Sequence, residues 1–292
     1  MNLADLEKVN SLAASKVASF RSSTSLDLES PHTSHFHKHK NTYKYFGFIE
    51  IEIHNCEPFV MFSCNDDLIA MTYFWYGANA YERKSITEWV ARSRRSKVVL
   101  DVGAFTGLYS LAAVSSQQQL KNAKVYAFEP TRRVHSRLLL NIQVNKMSHL
   151  IEPVNLAVSN RADTVRFFQY RGDQVLGNGA SFIDKGIEII SDDELVSTIS
   201  IDSFVEKEKI KPELMKIDVE QAEILALEGM QQTLSNYGPT IILEVAPNTV
   251  AQATSILSSH GYKQYVIDEE KQTLISLENA SKKRVLNLLA EK

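Results

Sequence analysis

The sequence predicts an α/β fold: a mostly parallel sheet flanked by helices, ending in an antiparallel hairpin and preceded by an N-terminal extension. Three observations carry this. From Lys97 onward, short apolar β-branched runs alternate with stretches of helical periodicity. Those runs are mostly apolar rather than strictly alternating, as expected of strands buried on both faces. The last two strand-like runs, Tyr262–Ile267 and Thr273–Leu277, flank a Glu-Glu-Lys turn and read as a hairpin.

The elements follow in order. Residues 1–45 are polar and Ser-rich, with a short amphipathic helix over Leu3–Val17, and read as a flexible arm. Within it, Ser22–Lys40 has no periodicity. It contains His32, His35, His37 and His39, which can bind metal adventitiously, although no Cys or carboxylate frame fixes a geometry. Phe46–His54 and Phe59–Cys64 alternate around Asn55-Cys-Glu-Pro58, a hairpin signal. Thr72–Trp89 is rich in rings, with Glu82 an acid inside it worth noting, and reads as cap packing within residues 46–96. Strands are expected at Val98–Val102, Lys124–Phe128, Ile151–Val154, Leu214–Val219 and Thr240–Val245. Helices are expected at Leu108–Gln118, Thr131–Asn145, Gln221–Ser235 and Asn248–His260, the last stopped by Gly261. Val134, Leu138 and Ile142 recur at helical spacing and form one apolar stripe. The interval Thr164–Ser200 breaks the rhythm. Thr164–Arg171 alternates like a strand, and Gly172–Asp184, with three glycines, reads as a mobile loop.

Composition narrows the function. A chain of 292 residues with 44% hydrophobic and 23% charged residues can bury a full core. A net charge of −3 gives no basic face for nucleic acid. Two cysteines, Cys56 and Cys64, complete no zinc set and suit a reducing compartment. The N-terminus has no basic-then-apolar leader, and no apolar run reaches the roughly 20 residues that span a bilayer, so a cytoplasmic location is expected.

The chemistry concentrates at strand ends, where ligands bind open α/β sheets. In Val98-Val-Leu-Asp-Val-Gly-Ala-Phe-Thr-Gly107 a buried strand ends in Asp101 and turns through Gly103 and Gly107 into a helix. Glycine lets backbone pass close to a ligand, and the helix start presents unpaired N–H groups. The spacing is not G-x-G-x-x-G, and no Lys-Ser/Thr follows to make a phosphate loop. An acid in that place repels phosphate and suits a cationic ligand. Glu129 ends the second strand, where it either grips two ribose hydroxyls or caps the next helix. Leu214-Met-Lys-Ile-Asp-Val-Glu220 places Lys216, Asp218 and Glu220 on one side of a central strand, where charge is costly unless paired or functional. A structural ion pair between Lys216 and a carboxylate is one reading. Glu244 either completes an acidic patch or partners Lys216.

These residues carry a family resemblance. Val98–Gly107 with Glu129 resembles the class I S-adenosylmethionine-dependent methyltransferases. Lys216-Ile-Asp-Val-Glu220 with Ala222 and Glu223, preceded by Ile201-Asp202-Ser-Phe204, resembles the FkbM branch, as does the loop Gly177-Asn-Gly-Ala-Ser181. Gln221 departs from that pattern, standing where the family usually has Gly. The resemblance implies a Rossmann-like class I methyltransferase fold over residues 97–292 and S-adenosyl-L-methionine as cofactor. It implies that Asp101 and the turn Gly103, Ala104, Thr106 and Gly107 hold the methionyl part. Glu129 would hold the ribose, the region of Asn155 and Ala157 the adenine, and Asp218 would line the cofactor site as well. The implied reaction is O-methylation of a hydroxyl on a sugar, glycan or natural product, with acceptor contacts from the N-terminal cap and loops. Asp218 is the first candidate for the base, followed by Glu220. A divalent metal held by Asp218 and Glu244 would serve the same end, and the choice stays open. The competing readings are an N- or C-methyltransferase of a small molecule or peptide, a nucleotide-binding oxidoreductase, and a non-catalytic relative that only binds.

Overall fold

The fold was analysed in a computed structural model, which describes residues 2–23, 39–80, 82–117, 123–170, 176, 190–277 and 286–292. Most of the expected arm Ser22–Lys40 and nearly all of the loop Gly172–Asp184, with its Gly177–Ser181 segment, lie outside the described residues.

One sheet positions the site. Its parallel part is built from β3 (Val98–Val102), β4 (Lys124–Phe128), β5 (Ile151–Val154), β9 (Leu214–Ile217) and β10 (Thr240–Val245). Next to β10 lies β13 (Leu286–Glu291), antiparallel, and then β11 (Lys263–Asp268) and β12 (Thr273–Ser276), giving the order β12-β11-β13-β10-β9-β3-β4-β5. β3 and β9 are central, so Val99, Leu100, Leu214 and Met215 are fully buried. The hairpin β11–β12 is present as expected, but the strand beside β10 comes from the chain end. Leu286-Asn-Leu-Leu-Ala-Glu291 contains no β-branched residue, so its composition did not announce a strand.

The helices pack on both faces. α4 (Leu108–Ser115) and α5 (Arg132–Val144) follow β3 and β4, and the stripe Val134, Leu138, Ile142 is buried as its spacing predicts. The single helix expected over Gln221–Ser235 is two, α7 (Glu223–Glu228) and α8 (Gln231–Asn236). The break falls at Gly229, where an added Cβ would lie 2.2 Å from the Ser159 carbonyl oxygen. Asp202, at the start of α6 (Ile201–Glu208), bridges the gap by accepting from the backbone N–H groups of Gln232 and Thr233 at 3.0 and 2.8 Å. A small sheet flanks this side: β6 (Ala157–Val158), β7 (Asp163–Tyr170) and β8 (Ile190–Ile199), order β6-β8-β7. β8 lies in the interval read as irregular, because its acid run masks the alternation.

The N-terminal elements share the main core. α1 (Leu3–Ser23) is a 21-residue helix, longer than Leu3–Val17, and it packs on the body instead of extending as an arm. Its buried Phe20 meets Trp75 and Tyr76 edge-on at 5.8 and 5.6 Å between ring centroids. Both partners sit on α2 (Leu68–Tyr76). The hairpin β1 (Phe46–Ile51) and β2 (Phe59–Cys64) forms in the expected place. An open strand edge invites pairing with another chain. Here α5 covers the edge of β2 with polar residues four apart. Asn145 bonds the N–H and C=O of Val60, Asn141 accepts from Phe62 N–H, and Arg137 donates to Phe62 C=O. The same Asn141 donates to the Thr106 carbonyl at 2.8 Å, tying the hairpin to the glycine turn. α3 (Arg83–Ser93) completes this part.

Candidate active site

The carboxyl ends of β3, β4, β9 and β10 bring most of the expected residues together. After β3 the backbone turns back sharply: Gly103 and Ala104 N–H both donate to the Phe128 carbonyl, at 3.0 and 2.8 Å. Gly103, Phe105 and Gly107 all take positive φ, at 85°, 50° and 102°. Ala104 is buried, and Thr106 is fully buried.

Asp101 is only 1% exposed, and Ser110 Oγ donates to its Oδ2 at 2.6 Å. Burial pushes its carboxyl up to about 6, with Ser110 and the Lys216 charge holding it down. It lies inside the sheet, paired across from Lys216 on β9. Glu129 is buried at the end of β4, and its Oε1 accepts from Thr131 N–H at 2.9 Å and Thr131 Oγ1 at 2.7 Å. It helps to start α5, where the side chain of the N-cap Thr131 makes no bond to the first turn. Burial pushes Glu129 up to about 7 against the hydrogen bonds from Thr131 and the Phe105 backbone. Asn155 is exposed beside it and donates to the carbonyls of Glu129 and Pro130 at 2.9 and 2.8 Å. Ala157 is buried in β6, paired with Thr198.

The centre of the site is Lys216, 1% exposed. Its Nζ lies 3.2 Å from Asp218 Oδ2 and 5.0 Å from the centroid of the Tyr109 ring. Burial alone would lower its pKa, but the charges of Asp218, Glu82 and Glu244 reverse this and raise it. The ion-pair reading of Lys216 is thus what the geometry shows, and Asp218 keeps a side chain 27% exposed above it. Glu244, half-buried, is pushed up to about 10, first by the Asp218 charge and then by burial, with Lys216 opposing. Asp218 and Glu244 thus form an acid pair in which the Asp218 charge disfavours ionising Glu244.

Glu220 is exposed, and with Gln221 it takes two successive left-handed conformations, φ 51° and 78°. That explains why glycine suits the second place: a non-Gly residue there costs on the order of 1–3 kcal/mol. Here the Gln221 N–H donates to Glu223 Oε1 at 2.7 Å, which offsets part of that cost. Three further residues complete the cluster. Glu82 accepts from Tyr109 Oη at 2.6 Å and from Asn287 Nδ2 at 2.9 Å. Glu82 was visible in the sequence as the acid among rings. Tyr109 was hidden inside an apolar helix, and Asn287 lay on the unannounced β13. Among the described residues no group of three or more His, Cys, Asp or Glu is arranged to hold a metal. His39 stacks on Trp75 at 6.0 Å, far along the chain from these acids.

The family model described as a methyltransferase FkbM domain matches residues 101–263, more than half of the chain. The chain belongs to the FkbM methyltransferase family. Among solved structures it is similar to the methyltransferase FkbM from Methylobacillus flagellatus KT, at 17% identity and a TM-score of 0.44, over 68% of this chain and 44% of that one. It thus spans less than half the length of that protein. It is similar also to a putative SAM-dependent methyltransferase from Streptococcus mutans, at 12% identity and a TM-score of 0.46, over 83% of this chain and 55% of that one. An O-methyltransferase from Bacillus cereus in complex with SAH matches at 11% identity and a TM-score of 0.43, over 71% of this chain and 79% of that one. No curated protein matches the sequence. No described helix is long and apolar enough to cross a membrane.

The acid pair makes a pH prediction. An acid whose folded pKa is raised is protonated more in the folded than in the unfolded chain, so its stabilising contribution is full below its ordinary value and fades as pH rises. For Glu244 the window runs from about 4.5 to about 10. Glu244→Gln, a neutral isostere, should melt with the wild type at pH 5 and above it at pH 9. The gap should be several degrees, at roughly 2 °C per kcal/mol for a chain of this size. Parallel melting curves across that range would rule out a protonated Glu244.

Proposed function

We propose that the chain transfers a methyl group from S-adenosyl-L-methionine to a hydroxyl of a sugar, glycan or natural product, with Asp218 receiving the hydroxyl proton. The observation that carries this is Asp218 itself, a part-exposed carboxylate at the end of a central strand, beside the Gly103 turn and above a buried lysine. The residues present fit the cofactor. The turn over Gly103–Gly107 has glycine at both ends, with Phe105 its one large side chain, and leads into the start of α4, while Glu129 is a buried carboxylate whose two Thr131 hydrogen bonds both fall on Oε1. Ribose hydroxyls donating to Glu129 would relieve its burial cost. Asn155 would fix the neighbouring turn beside the adenine, and Asp101 would act from beneath by balancing Lys216.

When bound, S-adenosyl-L-methionine supplies an electrophilic methyl on a cationic sulfur. The residues of the chain do the rest by placement. Asp218 would receive the acceptor's proton as the acceptor oxygen takes the methyl, the donor being released as a neutral thioether. Positioning provides most of the acceleration and a placed base about 10²–10⁴ more. Lys216 stabilises the ionised Asp218, and Glu244, already protonated, does not compete for the proton.

Calorimetry tests the cofactor half. S-adenosylhomocysteine should bind the wild type, and Glu129→Ala should weaken binding by about 1–3 kcal/mol, as for a lost charged hydrogen bond. Glu129→Gln, which can keep the Thr131 contacts, separates the ribose grip from the start of α5. Unchanged affinity in both variants would remove Glu129 from the site, and absence of binding by the wild type would remove the reading. Methyl-labelled donor with cell extracts, followed by product analysis, then identifies the methylated atom and decides between O-, N- and C-transfer.

A further inference from the structure

We infer that Glu82 is a positioning residue of the methyl-transfer site: it fixes Tyr109 and Lys216, and through them Asp218. The inference rests on the methyl-transfer reading above. Three observations on separate parts of the chain converge on it.

The first is local. Glu82 is the N-cap of α3, yet it sits in a left-handed conformation at φ 50° and its side chain makes no capping bond. A capping residue normally bonds the first turn with its own side chain. Here Glu269, in the turn between β11 and β12, does that work from across the molecule. Its carboxylate accepts from Lys84 N–H at 2.7 Å, Ser85 N–H at 2.8 Å and Ser85 Oγ at 2.5 Å. The Glu82 carboxylate is thereby left to point elsewhere. Strained backbone of this kind persists only where its surroundings hold it, and it clusters at functional sites.

The second observation is where the carboxylate goes. Each oxygen has a partner: Tyr109 on the helix after the glycine turn, at 2.6 Å, and Asn287 on β13, at 2.9 Å. Asn287 is the cross-strand partner of Glu244, so this contact lands next to the acid pair. The third is what lies beyond Tyr109. The Lys216 ammonium rests 5.0 Å from the ring centroid and 3.2 Å from Asp218 Oδ2. Holding the phenol holds the ring, and the ring is one wall of the lysine's pocket. A cation is attracted to an aromatic face, and the lysine's charge orients the carboxylate that takes the proton. Glu82 thus links the N-terminal part of the chain to the reacting end of the sheet.

The alternative is that Glu82 merely fastens the N-terminal elements to the sheet, and the test separates the two. Glu82→Gln keeps the shape and an acceptor oxygen but loses the charge, whereas Tyr109→Phe keeps the charge but loses the hydroxyl. Both should bind S-adenosylhomocysteine within about threefold of the wild type by calorimetry. With methyl-labelled donor at saturation and the small-molecule fraction of a cell extract as acceptor, both should turn over at least tenfold more slowly. The charged groups that bear on Lys216, the partner of the Asp218 base, are Asp218, Glu82 and Glu244. Only Glu82→Gln removes one of them, which leaves the lysine's pull on Asp218 less opposed, so only that variant should move the acid limb of the rate profile to lower pH. Wild-type turnover in Glu82→Gln overturns the inference. So does a rate loss that tracks a lower melting temperature with the acid limb in place, which is the signature of a fastener. A wild type that binds no S-adenosylhomocysteine overturns the methyl-transfer reading itself.

Discussion

Gly103→Ala is expected to give a protein that binds no S-adenosylhomocysteine and is destabilised by at least about 3 kcal/mol. Two separate penalties fall on this one methyl group. The backbone sits at φ 85°, a conformation that costs an L side chain roughly 1 kcal/mol. The added Cβ would also lie 1.8 Å from the Asp218 carbonyl oxygen and 2.8 Å from its carbonyl carbon. Backbone at that place cannot yield cheaply. Asp218 N–H donates to the Val102 carbonyl at 2.9 Å, and Gly103 N–H donates to Phe128 at 3.0 Å. Relief means parting β3 from β9 at their carboxyl ends, which displaces the turn and Asp218 together. Gly107→Ala is the control. It too has a positive φ, 102°, but its nearest obstacle is Leu138 Cδ1 at 2.7 Å, the end of a side chain that can swing aside. Thermal melts should therefore show a much larger drop for Gly103→Ala, and calorimetry should show cofactor binding only in Gly107→Ala. Equal losses in the two variants would mean that the strand contact at Asp218 is not what fixes this glycine.

The parallel sheet was legible because its strands are short, mostly apolar runs spaced by stretches of helical periodicity. Val98–Val102, Lys124–Phe128, Ile151–Val154 and Thr240–Val245 all form where expected. What escaped was set by distant partners. β13 is a Leu- and Ala-containing segment that becomes a strand only because β10 and β11 offer it two edges. The break between α7 and α8 follows from the approach of Gly229 to Ser159, two segments far apart in the chain. α1 is held by Trp75 and Tyr76, whose rings read as cap packing before their partner was known.

The site shows the same division. Asp101, Gly103, Glu129, Asp218 and Glu244 announce themselves as charges or glycines at strand ends, where a side chain without apolar work stands out. Their division of labour does not. That Asp101 is buried beneath Lys216 while Asp218 is part-exposed depends on register, since Asp101 pairs across from Lys216 on β9. Glu82 and Asn287 reach the cluster only through the packing of the first and last parts of the chain. A sequence pattern lists donors and acceptors, whereas the fold decides which of them meet.

Asp218→Asn is expected to lower turnover by two or more orders of magnitude and to leave S-adenosylhomocysteine affinity within a fewfold of the wild type. Asparagine keeps the size of the side chain and an oxygen for Lys216, but it cannot take a proton. The variant must be shown to fold, because removing one partner of a buried ion pair costs as much as 3–5 kcal/mol when the other charge is stranded. Here that cost is reduced, since Glu82 and Glu244 also act on Lys216. With Asp218 neutral, the largest charge that keeps Glu244 protonated is gone, so Glu244 ionises more readily and takes over as the lysine's counter-charge. The melting temperature should fall by only a few degrees. Chelator treatment of the wild type then separates the two routes to hydroxyl activation. A metal-assisted enzyme loses activity and recovers it on adding back a divalent ion, whereas a carboxylate base working alone is indifferent. A folded Asp218→Asn protein with near-normal turnover would move the base to Glu220 or Glu244. Of these two, Glu244 would have to lose a tightly held proton before it could accept one, so its turnover would rise steeply toward alkaline pH.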